Sequence, residues 1–166
     1  GTCNLYGLHE LYRSIIRINY EAMCCGAEGA DEIVVRKFIE RPRGTTPCIY
    51  NGLPLRPEFR VFYDFDTREP IFTANYWDYY YVSPHLYDAT DQIVFEHEHE
   101  RIEGAFMQHK DAVQAMVSNA MRDVQGLTGQ WSVDVLLDEQ GKFWLIDMAI
   151  AQRSAYWEMR PEGYAE

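Results

Sequence analysis

The sequence predicts an α+β fold: antiparallel β hairpins with helices packed on the sheet. Three observations carry that prediction. Glu58 to Phe65 alternates strictly, with Glu58, Arg60, Phe62 and Asp64 on one side and Phe59, Val61, Tyr63 and Phe65 on the other, the pattern of a half-buried strand. Gln130 to Asp138 and Lys142 to Ala149 read as two strands around the turn residues Glu139-Gln140-Gly141. Between these, Phe106, Val113, Val117, Ala120 and Val124 lay an apolar stripe along a helix from about Glu103 to Gln125, stopped by Gly126. Hairpins separated by helices, with no internal repeat, place the helices on one face of the sheet.

The remaining elements follow in order. Leu11, Tyr12, Ile15, Ile18 and Ala22 recur at helical spacing and predict a helix over residues 8-24, with Gly26 where a left-handed cap fits. Glu32 to Ile39 has a β-branched centre and predicts a strand, whereas the Pro- and Gly-bearing stretch from Arg41 to Pro57 is too irregular for a core element. A turn at Asp66-Thr67-Arg68-Glu69-Pro70 leads into a second strand from Ile71 to about Val82, which takes in the Tyr-rich run Tyr76 to Tyr81 and pairs with the strand before it. The predicted order is α, β, ββ, α, ββ.

Composition narrows the function classes. A chain of 166 residues is one domain or part of a larger protein. Its 15 Lys plus Arg against 26 Asp plus Glu give a formal charge of −11, which repels phosphate backbones, and no basic cluster offsets it, so nucleic acid is not an expected partner. Hydrophobic residues at 47% argue against disorder, while no apolar run approaches the roughly 18 residues of a membrane helix. The chain opens on nothing resembling a signal peptide, and Cys3, Cys24, Cys25 and Cys48 lack paired metal-ligand spacing; a reducing cytoplasm is expected.

Several residues could carry chemistry. Asp134 and Asp147 interrupt otherwise apolar strands, and if the turn spans Glu139 to Lys142 they oppose each other, sharing a face with Ser132, Leu136, Leu145 and Ala149; a three-residue turn puts them on opposite faces. Directly opposed carboxylates repel, so a cation or hydrogen-bond donors belong between them, and a divalent metal site is one reading; a loop cap and a solvated acid is the other. Arg60 stands beside Glu58 on one strand face, either as a clamp for phosphate or carboxylate or as half of a surface ion pair. Glu96-His97-Glu98-His99-Glu100, if extended, projects two imidazoles from one face and tempts a zinc hydrolase reading, though the acids equally suit a solvated helix start. Walker and Rossmann phosphate loops and the Gly-x-Ser-x-Gly elbow are missing.

Taken in order, Glu32-Ile-Val-Val-Arg-Lys-Phe-Ile-Glu40, Pro57-Glu-Phe-Arg-Val-Phe62, Trp131-Ser-Val-Asp134 and Leu145-Ile-Asp147-Met-Ala resemble the C-terminal half of ATP-grasp proteins, in a divergent branch found in bacteria and phage. The resemblance implies one ATP-grasp-like fragment over residues 1-166. Residues 1-40 would be the remainder of a small lobe with its hinge strand, and residues 57-166 the C-terminal nucleotide- and metal-binding lobe. It assigns the adenine hinge to Arg36, Lys37, Phe38 and Ile39, ribose to Glu58, phosphate or substrate to Arg60, and magnesium to Asp134 and Asp147. It departs from the family at Ala149, where relatives carry a metal-binding Asn, so that Gln152 or Ser154 would have to substitute. The implied activity is an ATP- and Mg2+-dependent ligase joining a small-molecule or peptide carboxylate to an amine or thiol through an acylphosphate. The phosphate-binding Lys and substrate domain of the family lie upstream of anything seen here, so this chain alone is expected to be inactive and to work with an upstream domain or as a homo-oligomer. The alternatives are a non-catalytic nucleotide-binding or interaction module and the hydrolase built on His97 and His99.

Overall fold

A computed structural model describes residues 9–26, 39, 46–50 and 52–164. The chain divides into two units, Gly1–Glu40 and Arg41–Glu166. In the first, helix α1 spans His9–Cys24, as the spacing predicts, and Gly26 ends it at φ 72° with its N–H on the Met23 carbonyl. The strand expected from Glu32 falls outside the described residues except for Ile39, and so do Arg36, Lys37 and Phe38 of the implied hinge.

The second unit opens with a small hairpin, β1 (Cys48–Ile49) and β2 (Leu53–Pro54), in the stretch that composition marks as too irregular for a core. The correction has a physical source. Two-residue strands leave no periodicity to detect, yet Ile49 and the following Leu55 are wholly buried with Trp77, Val82, Leu86, Phe95 and Ile102.

The main sheet has four antiparallel strands in the order β4-β3-β5-β6: β3 is Glu58–Asp64, β4 Glu69–Asn75, β5 Gln130–Leu137 and β6 Phe143–Ile150. The α+β class and the helix packed on the sheet are as predicted. The alternation in β3 sorts as expected, for Phe59, Val61 and Tyr63 enter one cluster with Val133, Val135 and Leu137 of β5. Helix α3, Ala89–Met121, seals that cluster with Val113, Val117 and Met121. On the opposite face Phe62 stacks on Phe72 at 4.5 Å and is covered by Ala151 and Trp157, from two short 3-10 turns, Ala151–Arg153 and Trp157–Met159, and by Tyr156 just before the second.

Boundaries differ from expectation at β4 and at both ends of α3, which stops at Met121, capped by Arg122, rather than running to Gln125. Strand β4 stops at Asn75 rather than running to Val82. The Asn75 side chain accepts the Trp77 N–H at 3.0 Å, and Asp78 accepts that of Tyr81 at 3.0 Å, capping a helical turn α2 over Tyr79–Val82. Side chains of Asn and Asp thus redirect the backbone where aromatic content alone reads as strand. Helix α3 begins at Ala89, capped by Asp88 through the N–H groups of Thr90 and Asp91, and not near Glu103. Its first half buries only Phe95, Glu98 and Ile102, a stripe too narrow to stand out among the surrounding charges. No helix among the described residues is long and apolar enough to cross a membrane.

Candidate functional site

The face of the sheet turned away from α3 collects the predicted polar residues. In β3, Arg60 pairs in register with Ala74 of β4 and with Asp134 of β5, and Asp134 in turn pairs with Asp147 of β6. That last pairing is reached by an unexpected route. Nearest the turn the register runs Leu137↔Phe143, Leu136↔Trp144 and Val135↔Leu145, which continued regularly would set Asp147 opposite Val133 on the α3 face. A β-bulge at Ile146 absorbs one residue, so the ladder resumes as Asp134↔Asp147 and Ser132↔Ala149. The predicted pairing of the two acids therefore holds, while Leu145 is the exception among the residues expected to share their face: it pairs with Val135.

Arg60 supplies the cation between strands. Its Nε donates to Asp134 Oδ1 and its Nη2 to Oδ2, both at 2.8 Å, in the parallel fork that guanidinium and carboxylate planes favour. Nη1 reaches the Ala155 carbonyl at 3.4 Å, and the guanidinium lies 4.8 Å from the centre of the Tyr76 ring. The pair is largely out of water, with 12% and 8% of the two side chains exposed, so it is no surface ion pair. Burial works to lower the Arg60 pKa, but the hydrogen bonds and charge of Asp134 outweigh it and the net movement is upward. The Asp147 side chain, by contrast, is exposed and has no hydrogen-bond or ion-pair partner among the described residues.

Glu58 lies two residues along the same face. Burial, reinforced by the charge of Asp134, pushes its carboxyl up to about 8 against the opposing pull of Arg60 and Arg56. Tyr76 joins the group. Burial raises its phenol, with Glu58, Asp134 and Asp147 adding to the rise and Arg60 opposing it. Tyr156 closes the side nearest Ala155: its hydroxyl donates to the Tyr76 carbonyl at 2.7 Å, its ring lies 4.3 Å from that of Tyr81, and its backbone sits at φ 73°, a left-handed conformation that costs an aromatic residue on the order of 1–2 kcal/mol.

Sequence reasoning missed Tyr76, Tyr156 and Arg56 as parts of this neighbourhood. Tyr76 reads as one of a run of aromatics, and nothing local singles out Tyr156. Arg56, 5% exposed and bonded through Nε to Glu139 at 3.0 Å, lies in the stretch dismissed as irregular.

The His-based site is corrected. His97 and His99 lie on α3, where residues two apart point about 200° away from each other around the axis, so they cannot share a ligand as on an extended chain. His97 meets Glu98 at 3.0 Å, and the His99 ring lies against Tyr79.

The donor set can be tested against magnesium. No group of three or more His, Cys, Asp and Glu among the described residues is arranged to hold a metal ion by itself. Two carboxylates on adjacent strands match the one or two that magnesium takes from a protein before completing its shell with water and substrate phosphates, but both Asp134 oxygens are held by Arg60 as the site stands. Gln152 and Ser154 are committed elsewhere: Gln152 donates to Gln130 at 3.1 Å, and Ser154 bonds Ser132 at 2.7 Å and the Ile150 carbonyl at 3.1 Å. Comparisons of the chain with protein-family models, with curated proteins and with solved structures return no match that places it in a family.

Proposed function

We propose that this chain is the nucleotide-binding lobe of an ATP-grasp-type ligase, which uses MgATP to activate a carboxylate as an acylphosphate for attack by an amine or thiol. One observation carries the reading: β3, β5 and β6 bring Glu58, Arg60, Asp134 and Asp147 to one sheet face, in the order and pairing that the resemblance requires. Transfer of a phosphoryl group asks little covalent chemistry of a protein and much charge placement. Magnesium, held by Asp134 and Asp147, would neutralise phosphate oxygens. Arg60, once released from Asp134, would offer a planar fork for a phosphate or for the acceptor carboxylate, with its guanidinium 4.8 Å from the centre of the Tyr76 ring. Glu58 stands ready to hydrogen-bond ribose hydroxyls, as acceptor when ionised and also as donor when neutral. A site that consumes ATP fits a cytoplasmic setting.

The test is thermal denaturation and calorimetry of the chain with Mg2+ alone, ATP alone and MgATP. MgATP is expected to raise the melting temperature, Mg2+ alone to do little, and Asp147→Asn to abolish the gain. A parent chain indifferent to millimolar MgATP would remove the nucleotide reading. Commitment of Gln152 and Ser154 to structural bonds favours a second reading, a nucleotide-binding module without turnover. Phosphate release with a panel of amino acids and small carboxylates separates the two.

A further inference from the structure

The polar groups of Arg60 and Asp134 are spent on each other. Both Asp134 oxygens accept from the guanidinium at 2.8 Å, and the third nitrogen of Arg60 is turned to the Ala155 carbonyl at 3.4 Å. A phosphate therefore cannot engage the fork of Arg60 in two places while Asp134 holds it. A dication approaching Asp147 meets a neighbouring carboxylate whose charge is already cancelled, with a guanidinium beside it. Approached singly, either ligand finds the wrong field: an anion sees a neutralised arginine with the exposed acid Asp147 on the same face, and a cation sees that acid alone.

We propose that the Arg60–Asp134 ion pair is an exchange latch that makes binding of a divalent cation and of a phosphate at this face mutually dependent. The proposal rests on the nucleotide reading for its ligands and goes beyond it in assigning a regulation to the site. When both ligands arrive, Arg60 swings from Asp134 to a phosphate and Asp134 turns its oxygens, beside Asp147, to the dication. One buried pair becomes two, and charge stays balanced throughout. With a single ligand, one member of the pair is left desolvated and unpaired, which is the costly outcome for a buried ion. The coupling is reciprocal, as any coupling between two bound ligands must be. The bulge at Ile146 serves this arrangement, since it alone brings Asp147 beside Asp134. Tyr76 gives Arg60 a surface on which to pivot without losing its aromatic contact, while the Ala155 bond, at 3.4 Å, is the weakest of the three tethers.

The latch predicts gains of affinity from removing its parts. Binding of Mn2+ without nucleotide is read from the free-ion signal in electron paramagnetic resonance, and binding of tripolyphosphate in EDTA by calorimetry, with folding of each variant checked by circular dichroism. Arg60→Gln frees Asp134 and should bind Mn2+ at least tenfold more tightly than the parent chain, a gain that Asp147→Asn cancels in the double variant. Asp134→Asn frees Arg60 and should bind tripolyphosphate at least tenfold more tightly. If one variant fails to fold, the other decides alone. A folded variant whose affinity for its probe is unchanged or weaker overturns the latch. The nucleotide reading fails separately: a parent that ignores MgATP while both variants gain loses the nucleotide and keeps the latch, whereas a parent that binds MgATP with no gain in either variant keeps the nucleotide and loses the latch.

Discussion

Glu58 should make the folded state more stable in mild acid than in mild base, an unusual direction for a carboxyl. Its pKa rises from 4.5 to about 8 because burial penalises the charged form and Asp134 adds repulsion, while Arg60 and Arg56 recover only part of the loss and Tyr76, itself raised, adds no compensating charge. A folded-state value above the unfolded one means that the fold favours the neutral acid. That contribution is complete below about pH 4.5 and is lost progressively as the pH climbs through 8. At about 1.4 kcal/mol for each tenfold change in proton affinity, the rise sets a ceiling of about 5 kcal/mol; residual solvent contact and adjustment of the two arginines reduce the expected effect to about 2 kcal/mol. Glu58→Gln keeps the shape of the neutral acid and cannot ionise. Urea denaturation of parent and variant at pH 5, 7 and 9 isolates the Glu58 contribution: the variant should gain about 2 kcal/mol on the parent between pH 5 and pH 9. Carboxyls acting in the opposite sense do not confuse the measurement. Burial raises Asp64 and Glu98, but their hydrogen bonds, to Gln130 and the Thr67 and Asp66 N–H groups in one case and to Arg101 and His97 in the other, outweigh it and hold both pKa values low, so their contribution is lost only as the pH falls below the ordinary carboxylate range. A stability difference between variant and parent that is the same at pH 5 and pH 9 would refute the argument.

Further outcomes follow from packing and capping. Phe59→Ala, which empties a wholly buried position between the rings of Phe106 and Phe143, should cost about 3–5 kcal/mol in urea denaturation; a loss under 1 kcal/mol would mean that the two faces of β3 are assigned wrongly. Asp88→Ala removes the acceptor for two N–H groups at the start of α3 and should lower stability by about 1 kcal/mol, with hydrogen exchange faster in the first turn and unchanged near Met121. Tyr156→Phe deletes the bond to the Tyr76 carbonyl and should cost about 1 kcal/mol; no loss would show that this bond does not hold the segment from Ala151 to Met159 on the sheet.

Features that depend on near neighbours along the chain can be read from the residues alone. Strict alternation in β3 sorts Phe59, Val61 and Tyr63 from Glu58 and Arg60, because side chains on a strand alternate whatever lies beyond. The apolar stripe of α3 from Phe106 onward and the two strands around Gly141 are legible for the same reason, and so is the oddity of two acids in apolar strands. Local signals failed where a side chain captured the backbone, as Asn75 and Asp78 do after β4, and where a charged helical half buries only three residues. The site needed the tertiary structure. Spacing pairs Asp134 with Asp147 only for one assumed turn, and the chain reaches that pairing through a bulge at Ile146 that depends on how β5 and β6 settle against each other. Arg60 reads beside Glu58 as one of two strand charges; that its fork closes on Asp134, 74 residues later, follows from the register of β3 with β5, a contact no local pattern encodes. Periodicity reports which way a side chain points, and only the pairing of distant strands decides what it meets there.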